Sequence, residues 1–369
     1  MEIPWYRSFN WLLALTAVAL SLGGIVVIGS ATLHDPDAAG EWRKQLLYVG
    51  IGIPAMVAFA CLDYHRLARW AVQLYAVNLA LLILVLRGGH SALGAQRWIS
   101  LGPLGTFQPS EPAKLVLAIV IATLLARSPA VRWREMALVV ALVGVPALLV
   151  LKQPDLGTTL VIFAILSAQL FFGVSKAWYF AAYAALTAAA GAFVVGTNFV
   201  LKQFQRNRLL VFLHPEADPQ GAGWNLNQSK IAVGSGELFG KGLYHGTQTQ
   251  LNFVPEHSRD FIFTVLAEEW GFAGAAALLF LYAAVLYGGI RSMLAARDRF
   301  GFLLAAGLVG MLFFHVLVNL GMTIGIMPIT GIPLPFMSYG GSAMLTDFVA
   351  FGILLNIYGQ RDRDVLGNA

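Results

Sequence analysis

Ten apolar stretches alternate with short polar segments along the chain. A helix needs about 20 apolar residues to cross a bilayer, and these stretches reach or approach that length. The fourth is short, because it is enclosed by Lys114 and Arg127. We therefore predict an all-α polytopic integral membrane protein, with ten transmembrane helices in one domain over 1–369. The predicted spans are 10–30, 46–62, 70–87, 111–127, 135–151, 156–173, 177–200, 261–290, 301–322 and 340–358.

Composition supports the membrane class. The 369 residues are 58% hydrophobic and 12% charged, with a mean hydropathy of +0.71. Soluble globular domains carry about twice that fraction of charge. The net charge of +5 is better explained by topology than by nucleic-acid binding. The single cysteine, Cys61, excludes a disulfide framework within the chain.

Lysine and arginine predict the orientation of the spans. With a cytoplasmic N-terminus, the short inner segments hold twelve of these residues and the short outer segments hold six. Cytoplasmic loops carry the excess of positive charge, and long loops count little in this rule. We therefore expect both termini in the cytoplasm and a large extracytoplasmic loop, 201–260, between helices seven and eight. The apolar run at the N-terminus lacks a small-residue cleavage site, so we expect it to be retained as a span.

The first candidate chemistry is the segment Gln108-Pro109-Ser110-Glu111-Pro112. Ser110 and the prolines suit a helix start. Glu111 and Lys114 are three residues apart and therefore share a helix face. They form either a structural ion pair with a snorkelling lysine or a lysine that faces an anion and is held by its glutamate. Ionisable groups at membrane depth are costly and often functional, which favours the second interpretation.

Two further outer segments carry polar residues. Arg97 and Trp98 suit an interfacial anchor as well as a binding site. Asp155, in the segment Lys-Gln-Pro-Asp-Leu-Gly, is placed to cap the sixth helix, and its position beside Lys152 leaves a site role open.

Four carboxylates lie between Val254 and Gly271, where a polar segment becomes apolar. Asp260 stands at the outer start of helix eight beside water, where a carboxylate can act as a general base. Glu256 lies just before it. We interpret Glu268 and Glu269 as polar groups that pack against neighbouring helices. His315, Asn319 and Asp347, in the last two spans, are expected to form interhelical hydrogen bonds.

The polar residues together indicate a class of substrate. An outer carboxylate base near cations and lipid suits an amphiphilic anion, such as a polyprenyl-diphosphate sugar. No closely spaced His, Cys and Asp cluster predicts a tightly held transition metal. A magnesium ion held by one or two carboxylates and substrate phosphates is compatible with the sequence.

Four blocks resemble the SEDS family (shape, elongation, division and sporulation), and within it the elongation branch. They are AQRWISLG…FQPSEPAK at 95–114, KQPDLGT at 152–158, GTQTQLNFVPE…DFIF at 246–263 and NLGMTIGIMPITGIPLPFMSYGGS at 319–342. The resemblance implies a peptidoglycan glycosyltransferase of the cytoplasmic membrane, which polymerises lipid II on the outer face and releases undecaprenyl diphosphate. It also implies a class B penicillin-binding protein as partner and a loosely bound divalent cation, Mg or Mn, as helper. A lipid II flippase and a scaffold without activity are the alternatives.

The resemblance also assigns residues. Asp260 matches the essential acid of the family, Glu111 and Lys114 match the QPSExxK motif, and Arg97 and Trp98 match its Arg-Trp pair. The family usually has His-Thr directly before the essential aspartate, whereas this chain has Ser258-Arg259, with His257 one place earlier. A role carried over for that histidine or threonine is therefore in doubt. Ala343 stands where a second serine is common.

Overall fold

A computed structural model describes residues 9–36, 38–92, 95–100, 102, 105–128, 131–197, 205–206, 208, 211–212, 214, 218 and 221–361. Much of the first part of the predicted loop 201–260, and both chain ends, lie outside the described residues. The elements are α1 (Trp11–Ala31), α2 (Glu41–Cys61), α3 (His65–Arg69), α4 (Ala71–Gly88), β1 (His90–Ala92), β2 (Ala95–Ser100), β3 (Thr106–Phe107), α5 (Ser110–Ala126), α6 (Trp133–Lys152), α7 (Leu156–Gly173), α8 (Ala177–Gly196), α9 (Ala222–Ser235), α10 (Thr247–Gln250), α11 (Ile262–Leu294), α12 (Arg299–Ile324) and α13 (Gly341–Gly359).

Nine helices in the described part of the chain are long and apolar enough to cross a membrane. They correspond to nine of the ten predicted spans, and the protein is a multi-pass membrane protein. The helix at the fourth predicted span, α5, has 17 residues and is buried along most of its length. The count of ten therefore stays a prediction. The structure also places two helices, α9 and α10, within the segment predicted as a long loop.

The core lies between the last helices of the chain and those that surround them. α12 packs against α5, α7 and α11, and α13 packs against α2. The second contact is close because α2 has a glycine at the crossing point: a Cβ on Gly52 would come within 2.1 Å of the Phe348 ring. Small residues allow membrane helices to approach one another in this way. α8 is peripheral, with most of its side chains exposed.

α11 is broken at Gly271, where φ is 63° and ψ is −160°. In an unbroken helix, the N–H groups of Phe272 and Ala273 would donate to the carbonyls of Glu268 and Glu269. These N–H groups instead donate to the carbonyls of Glu237 and Leu238, at 2.8 and 3.0 Å. The apolar sequence predicted a continuous helix here. The break was not predictable from local sequence, because the substitute bonds come from a segment distant in sequence.

The carbonyls released by the break are also paired. The N–H groups of Lys241 and Gly242 donate to Glu268 O and Glu269 O, at 3.0 and 2.9 Å. We call the segment 236–242 the clip loop. Four backbone hydrogen bonds thus join the clip loop to α11. Unpaired backbone groups are costly at membrane depth, so the break is stable only while the clip loop is docked.

A small antiparallel sheet lies between α4 and α5, in the order β1-β2-β3. β2 pairs with β3 through Ile99 opposite Phe107 and Ser100 opposite Thr106. The sheet places Arg97 and Trp98 beside the loop between α6 and α7. A polar segment without helical periodicity separates α4 from α5 in the sequence, so the sheet was not predicted.

The opposite end of the helix bundle carries a cluster of hydrogen-bonded charges. The His65 ring lies between Asp63 and Asp298, with Nδ1 2.8 Å from Asp63 Oδ1 and Nε2 2.5 Å from Asp298 Oδ2. The Tyr64 hydroxyl donates to Asp298 Oδ2 at 2.7 Å. Asp298 also caps α12 through the Gly301 N–H. The cluster therefore fastens α3 to the start of α12.

We expect the thermal stability of the detergent-solubilised protein to decrease as the pH rises from about 6.5 to 8. Burial lowers the pKa of His65, but Asp63 and Asp298 together outweigh burial and raise it above 6.5. Stabilisation by protonated His65 is therefore complete below pH 6.5 and is lost as the pH rises through the raised pKa. The ring is partly exposed, so we expect a decrease in melting temperature of only about 1–2 °C.

The decrease should vanish in His65→Gln and persist in the control His34→Gln. A decrease of equal size in His65→Gln would assign it to another group.

Candidate active site

A cavity of about 440 Å³ lies at the end of the bundle that carries the small sheet. It contains most of the polar residues that the sequence singled out. Its walls include Tyr48, Arg97, Trp98, Gln108, Glu111, Lys114, Asp155, Thr158, Arg208, Glu256, Arg259, Asp260, His315, Gly331, Tyr339 and Ser342. Of the eight predicted site residues, Ser110 alone is not part of the wall. Segments separated by more than 200 residues in sequence thus meet at one site.

Asp260 lies at the edge of this cavity, two residues before α11 begins. Its main-chain carbonyl accepts a hydrogen bond from Asn319 Nδ2 at 2.8 Å, and the same nitrogen donates to Ile332 O at 2.7 Å. Asn319 therefore joins residues 254–261, which we call the Asp260 segment, to the loop after α12. A Cβ on Gly331 would be 3.1 Å from Asp260 Oδ2, and the φ of Gly331 is +72°. A glycine at this position lets the loop approach the carboxylate closely.

The surroundings of Asp260 change its acidity. Burial raises the pKa of Asp260, and the negative charge of Glu256 raises it further. Arg208, Arg259 and Arg97 oppose this effect, and the pKa is about 6. A carboxyl group with this pKa is mostly ionised at neutral pH and accepts a proton more readily than an ordinary aspartate. Those are the properties of a general base.

Arg208 was not among the residues predicted from the sequence. It lies in the cavity wall, half-buried, and interacts electrostatically with Asp260. Burial lowers its pKa, but an arginine stays charged in proteins. Arg208 lies between a basic stretch and the apolar run 209–213, and its approach to Asp260 depends on tertiary folding. Clustering with the other basic residues of that stretch was the one available signal, and it did not distinguish Arg208 from them.

We expect Arg208→Gln to lower turnover by roughly 10- to 100-fold at pH 7, because it removes a fixed cation from the reaction site. Loss of this charge should also let the pKa of Asp260 rise. The midpoint of the pH–activity profile should then move above about 6. Arg208→Lys keeps the charge and should keep the midpoint. An unchanged profile in Arg208→Gln would show that Arg208 does not act on Asp260.

Glu111 and Lys114 form the predicted pair, with Lys114 Nζ 2.8 Å from Glu111 Oε2. Only 2% of Lys114 is exposed, so the lysine does not snorkel. Its Nζ also lies 3.1 Å from His315 Nε2. His315 Nδ1 donates to Met311 O at 2.7 Å, which leaves Nε2 as an acceptor for the lysine. Glu111 and His315 thus fix the position of Lys114 in the cavity wall.

Arg97 and Asp155 stabilise the cavity wall. Arg97 donates through Nε to Gln153 O at 3.2 Å, and through Nη2 to Pro154 O. Its Nη1 lies 3.7 Å from Asp155 Oδ1. Two of its five N–H groups therefore donate to the loop between α6 and α7. Trp98 follows it in the same strand and lines the cavity.

Asp155 caps α7, as predicted, by accepting a hydrogen bond from Thr158 N at 3.1 Å. It also accepts hydrogen bonds from Ser110 Oγ at 3.2 Å and from Gln108 Nε2 at 3.0 Å. Ser110 is therefore in contact with a residue of the cavity wall, Asp155, although it is not part of the wall itself. These bonds join the starts of α5 and α7, and so fix the helix that carries Lys114.

The start of α2 holds the Asp260 segment from the other side. Glu41 Oε2 accepts a hydrogen bond from Ser258 Oγ at 2.8 Å, and Glu41 Oε1 lies 3.6 Å from Arg259 Nη2. Arg259 also pairs with Glu256 at 3.3 Å. Ser258 and Arg259, which replace the usual His-Thr of the family pattern, therefore take part in a network of their own. Glu41 was not predicted, because one acid at a helix start has no distinctive pattern.

His257 lies between two backbone carbonyls. Its Nδ1 is 2.8 Å from Val254 O, and its Nε2 is 2.9 Å from Ala31 O. The residue is buried and is absent from the cavity wall. It joins the Asp260 segment to the end of α1.

The deeper acids pack against neighbouring segments, as predicted. Glu268 accepts the backbone N–H groups of Gln248 and Thr249, at 2.9 and 3.1 Å, and pairs with Lys241 at 2.8 Å. Glu269 accepts a hydrogen bond from the hydroxyl of Ser30. Neither acid is part of the cavity wall.

Asp347 is buried within α13 and interacts electrostatically with Lys114 and Glu111. It accepts a hydrogen bond from the backbone of Phe336. It is also absent from the cavity wall, and so lies behind the ion pair.

The residues that the structure describes contain no group of three or more His, Cys, Asp and Glu side chains that could hold a metal ion. Four carboxylates line the described part of the cavity: Glu111, Asp155, Glu256 and Asp260. Lys114 pairs with Glu111, and Arg259 pairs with Glu256. The side chains in the described part of the chain thus do not form a dedicated metal site. A divalent cation that takes most of its ligands from water and phosphate stays a proposal.

Nearly the whole chain resembles known proteins. Residues 10–363 match the family model for the cell cycle proteins FtsW, RodA and SpoVE. The peptidoglycan glycosyltransferase MrdB of Escherichia coli K12 is 39% identical over 350 residues, which cover 94% of this chain and 92% of that protein. The peptidoglycan glycosyltransferase RodA of Treponema pallidum is 34% identical, with coverage of 98% and 100%.

Solved structures agree with these sequences. A chain of a peptidoglycan synthase complex, described as coordinating polymerization and crosslinking, matches with a TM-score of 0.81 and 33% identity, over 96% of this chain and 99% of that chain. The rod shape determining protein RodA of Thermus thermophilus matches with a TM-score of 0.69 and 32% identity, over 96% and 98% of the two chains.

Proposed function

The chain belongs to the FtsW/RodA/SpoVE family, and on this premise we propose how its cavity carries out glycosyl transfer. The chain is a peptidoglycan glycosyltransferase, like its curated relatives. Its substrate, in this proposal, is lipid II, and its products are a longer glycan strand and undecaprenyl diphosphate. The reaction takes place on the outer face of the cytoplasmic membrane during cell elongation.

One observation carries the proposal: Asp260, Arg208 and Lys114 line the same cavity. A carboxylate with a pKa of about 6 is suited to accept a proton from a sugar hydroxyl. The cations are suited to bind a diphosphate. A lipid-linked glycan diphosphate presents both requirements, and its tail can stay in the bilayer.

The proposed reaction is a single displacement. Asp260 takes the proton from the sugar hydroxyl of one lipid II. The resulting oxygen nucleophile forms a bond to the anomeric carbon of the lipid-linked chain. The bond between that carbon and the diphosphate oxygen breaks, and its electron pair leaves with undecaprenyl diphosphate. This geometry inverts the anomeric centre.

The cations stabilise the leaving group. Negative charge develops on the diphosphate as its bond to carbon breaks, and fixed cations lower the barrier most where charge develops. Lys114 lines the cavity, and its position is fixed by Glu111 and His315. Arg208 supplies a second charge. Arg97 supplies a third charge in the cavity wall, and two of its five N–H groups hold the loop between α6 and α7.

A flippase would need polar groups that line a path through the membrane, with alternating access to its two sides. The described cavity wall includes neither Glu268 nor Asp347. Glu268 instead holds the backbone of α10. This distribution favours an enzyme with its site at one end of the bundle.

We also propose a class B penicillin-binding protein as partner, which would crosslink the strands that this protein polymerises. The support is the similarity to a chain of a peptidoglycan synthase complex. The proposed divalent cation, Mg or Mn, would reach the site together with the substrate diphosphate, and no step above depends on it.

The test is strand formation by the purified protein in liposomes that contain lipid II, with the partner and Mg²⁺ added. The product is measured by gel separation of labelled glycan strands. Fluorescent lipid II in the inner leaflet, probed with an impermeant quencher, measures transbilayer movement in the same liposomes. Strands without movement would support the proposal. Movement without strands would replace it with the flippase, and the absence of both would leave a scaffold.

A further inference from the structure

The clip loop (236–242) carries an apolar tip that no interaction described above uses. Leu238 is 64% exposed and Phe239 is 83% exposed. Four backbone hydrogen bonds hold the loop in the break of α11, so these side chains cannot withdraw without opening the break. Glycines make the docking possible, since a Cβ on Gly240 would lie 2.1 Å from Glu269 O. The tip is therefore a fixed apolar surface.

The length of α11 places this tip relative to a membrane. The helix turns basic at Arg291, in its last turn. From Arg291 back to the break at Gly271, the helix rises about 30 Å, at 1.5 Å per residue. The hydrocarbon core of a bilayer is also about 30 Å thick. The part of α11 after the break is thus long enough to cross the membrane alone, which puts the break and the clip loop at the outer boundary.

Exposed apolar residues continue from the tip along the membrane-crossing part of α11. Phe272 is 67% exposed and Phe280, two turns further, is 75% exposed. Trp270, just before the break, is also exposed. Tryptophan is enriched at the membrane–water interface. The apolar surface of the clip loop is therefore continuous with a surface that faces lipid.

We propose that the clip loop inserts Leu238 and Phe239 into the outer leaflet, at the boundary between headgroups and acyl chains. Its occupant is membrane lipid. The insertion would fix the height of the Asp260 segment above the membrane, because Glu268, whose carbonyl is bonded to the clip loop, also holds the backbone of α10. A short segment then leads from α10 to Asp260.

The experiment measures the depth of a spin label at position 239. The chain has one native cysteine, so Cys61→Ser gives a cysteine-free background. Phe239→Cys is labelled with a nitroxide, in full-length protein reconstituted into phosphatidylethanolamine–phosphatidylglycerol liposomes. Phe280→Cys is the lipid-facing reference, and His245→Cys is the reference on an exposed polar position three residues after the clip loop. Collision of each label with oxygen, which partitions into lipid, is compared with collision with a water-soluble nickel chelate.

We expect the ratio of oxygen to nickel collision at position 239 to be several-fold above that at 245 and below that at 280, because position 280 lies about 13 Å deeper along α11. A ratio at 239 equal to that at 245 would overturn the proposal. A label at 239 that meets the nickel chelate freely, and is shielded only when a partner protein is added, would also overturn it and would assign the tip to that partner. The result does not depend on glycosyl transfer, so strand formation can fail while the insertion is confirmed.

Discussion

Asp260→Asn should reduce glycan strand formation by at least about 100-fold at pH 7.5. The amide is nearly the same size as the carboxylate but cannot accept the proton of the sugar hydroxyl. The main-chain bond from Asn319 to Asp260 does not involve the side chain, so the segment should keep its position. The measurement is the initial rate of strand formation from lipid II by wild type and variant at equal protein concentration.

Loss of activity in this variant should not reflect loss of folding. The pKa of Asp260 is about 6 in the folded protein, above the ordinary value of 3.8. The folded state therefore binds this proton more tightly than the unfolded state, and stability falls as the pH rises from about 4 to 6. Asparagine is never charged and avoids that loss. Above pH 6, we expect Asp260→Asn to melt at a higher temperature than wild type while it forms no strands.

Glu256→Gln is the matched control, because it neutralises the neighbouring carboxylate. Wild-type activity should fall as the pH decreases through about 6, where Asp260 becomes protonated. The charge of Glu256 raises the pKa of Asp260, so its removal should move this midpoint to lower pH and leave turnover at pH 7.5 largely intact. Substantial strand formation by Asp260→Asn would remove Asp260 from the role of base. A midpoint that does not move in Glu256→Gln would assign the pH dependence to another group.

Hydrophobic length and local spacing predicted much of this structure. The apolar runs identified the spans, since burial in lipid needs little more than length and hydropathy. Local rules also located the Glu111–Lys114 pair and the Asp155 cap, whose partners are three residues away in sequence. In these cases, the interaction is encoded within one helical turn.

Interactions between distant segments were not predictable in this way. The break at Gly271 depends on backbone bonds from the clip loop, and a glycine within an apolar run does not reveal them. Arg208 reaches Asp260, and Glu41 reaches the neighbouring Arg259, only because three separate segments converge. Arg97 lines the cavity and also holds two backbone carbonyls of the loop between α6 and α7, a contact that its motif did not predict.

The role of Lys114 has two explanations that a single substitution cannot separate. Lys114→Met leaves Glu111 buried and without its partner, and breaking a buried ion pair costs about 3–5 kcal/mol. Activity would then fall whether Lys114 binds the diphosphate or only stabilises the fold. Asp347, behind the pair, would also lose the nearby positive charge.

The double variant Glu111→Gln/Lys114→Met separates the two explanations. It removes one charge of each sign, so Asp347 experiences little net change and neither member of the ion pair is left as an unpaired buried charge. Replacing both members of a buried pair is often nearly neutral for stability. We expect its melting temperature to return close to that of wild type, whereas Lys114→Met alone melts well below it.

Strand formation should stay at least about 100-fold reduced in the double variant, because the fixed cation for the leaving diphosphate is missing. Recovery of activity together with stability would show that the pair is structural, and would leave Arg208 as the principal cation of the site.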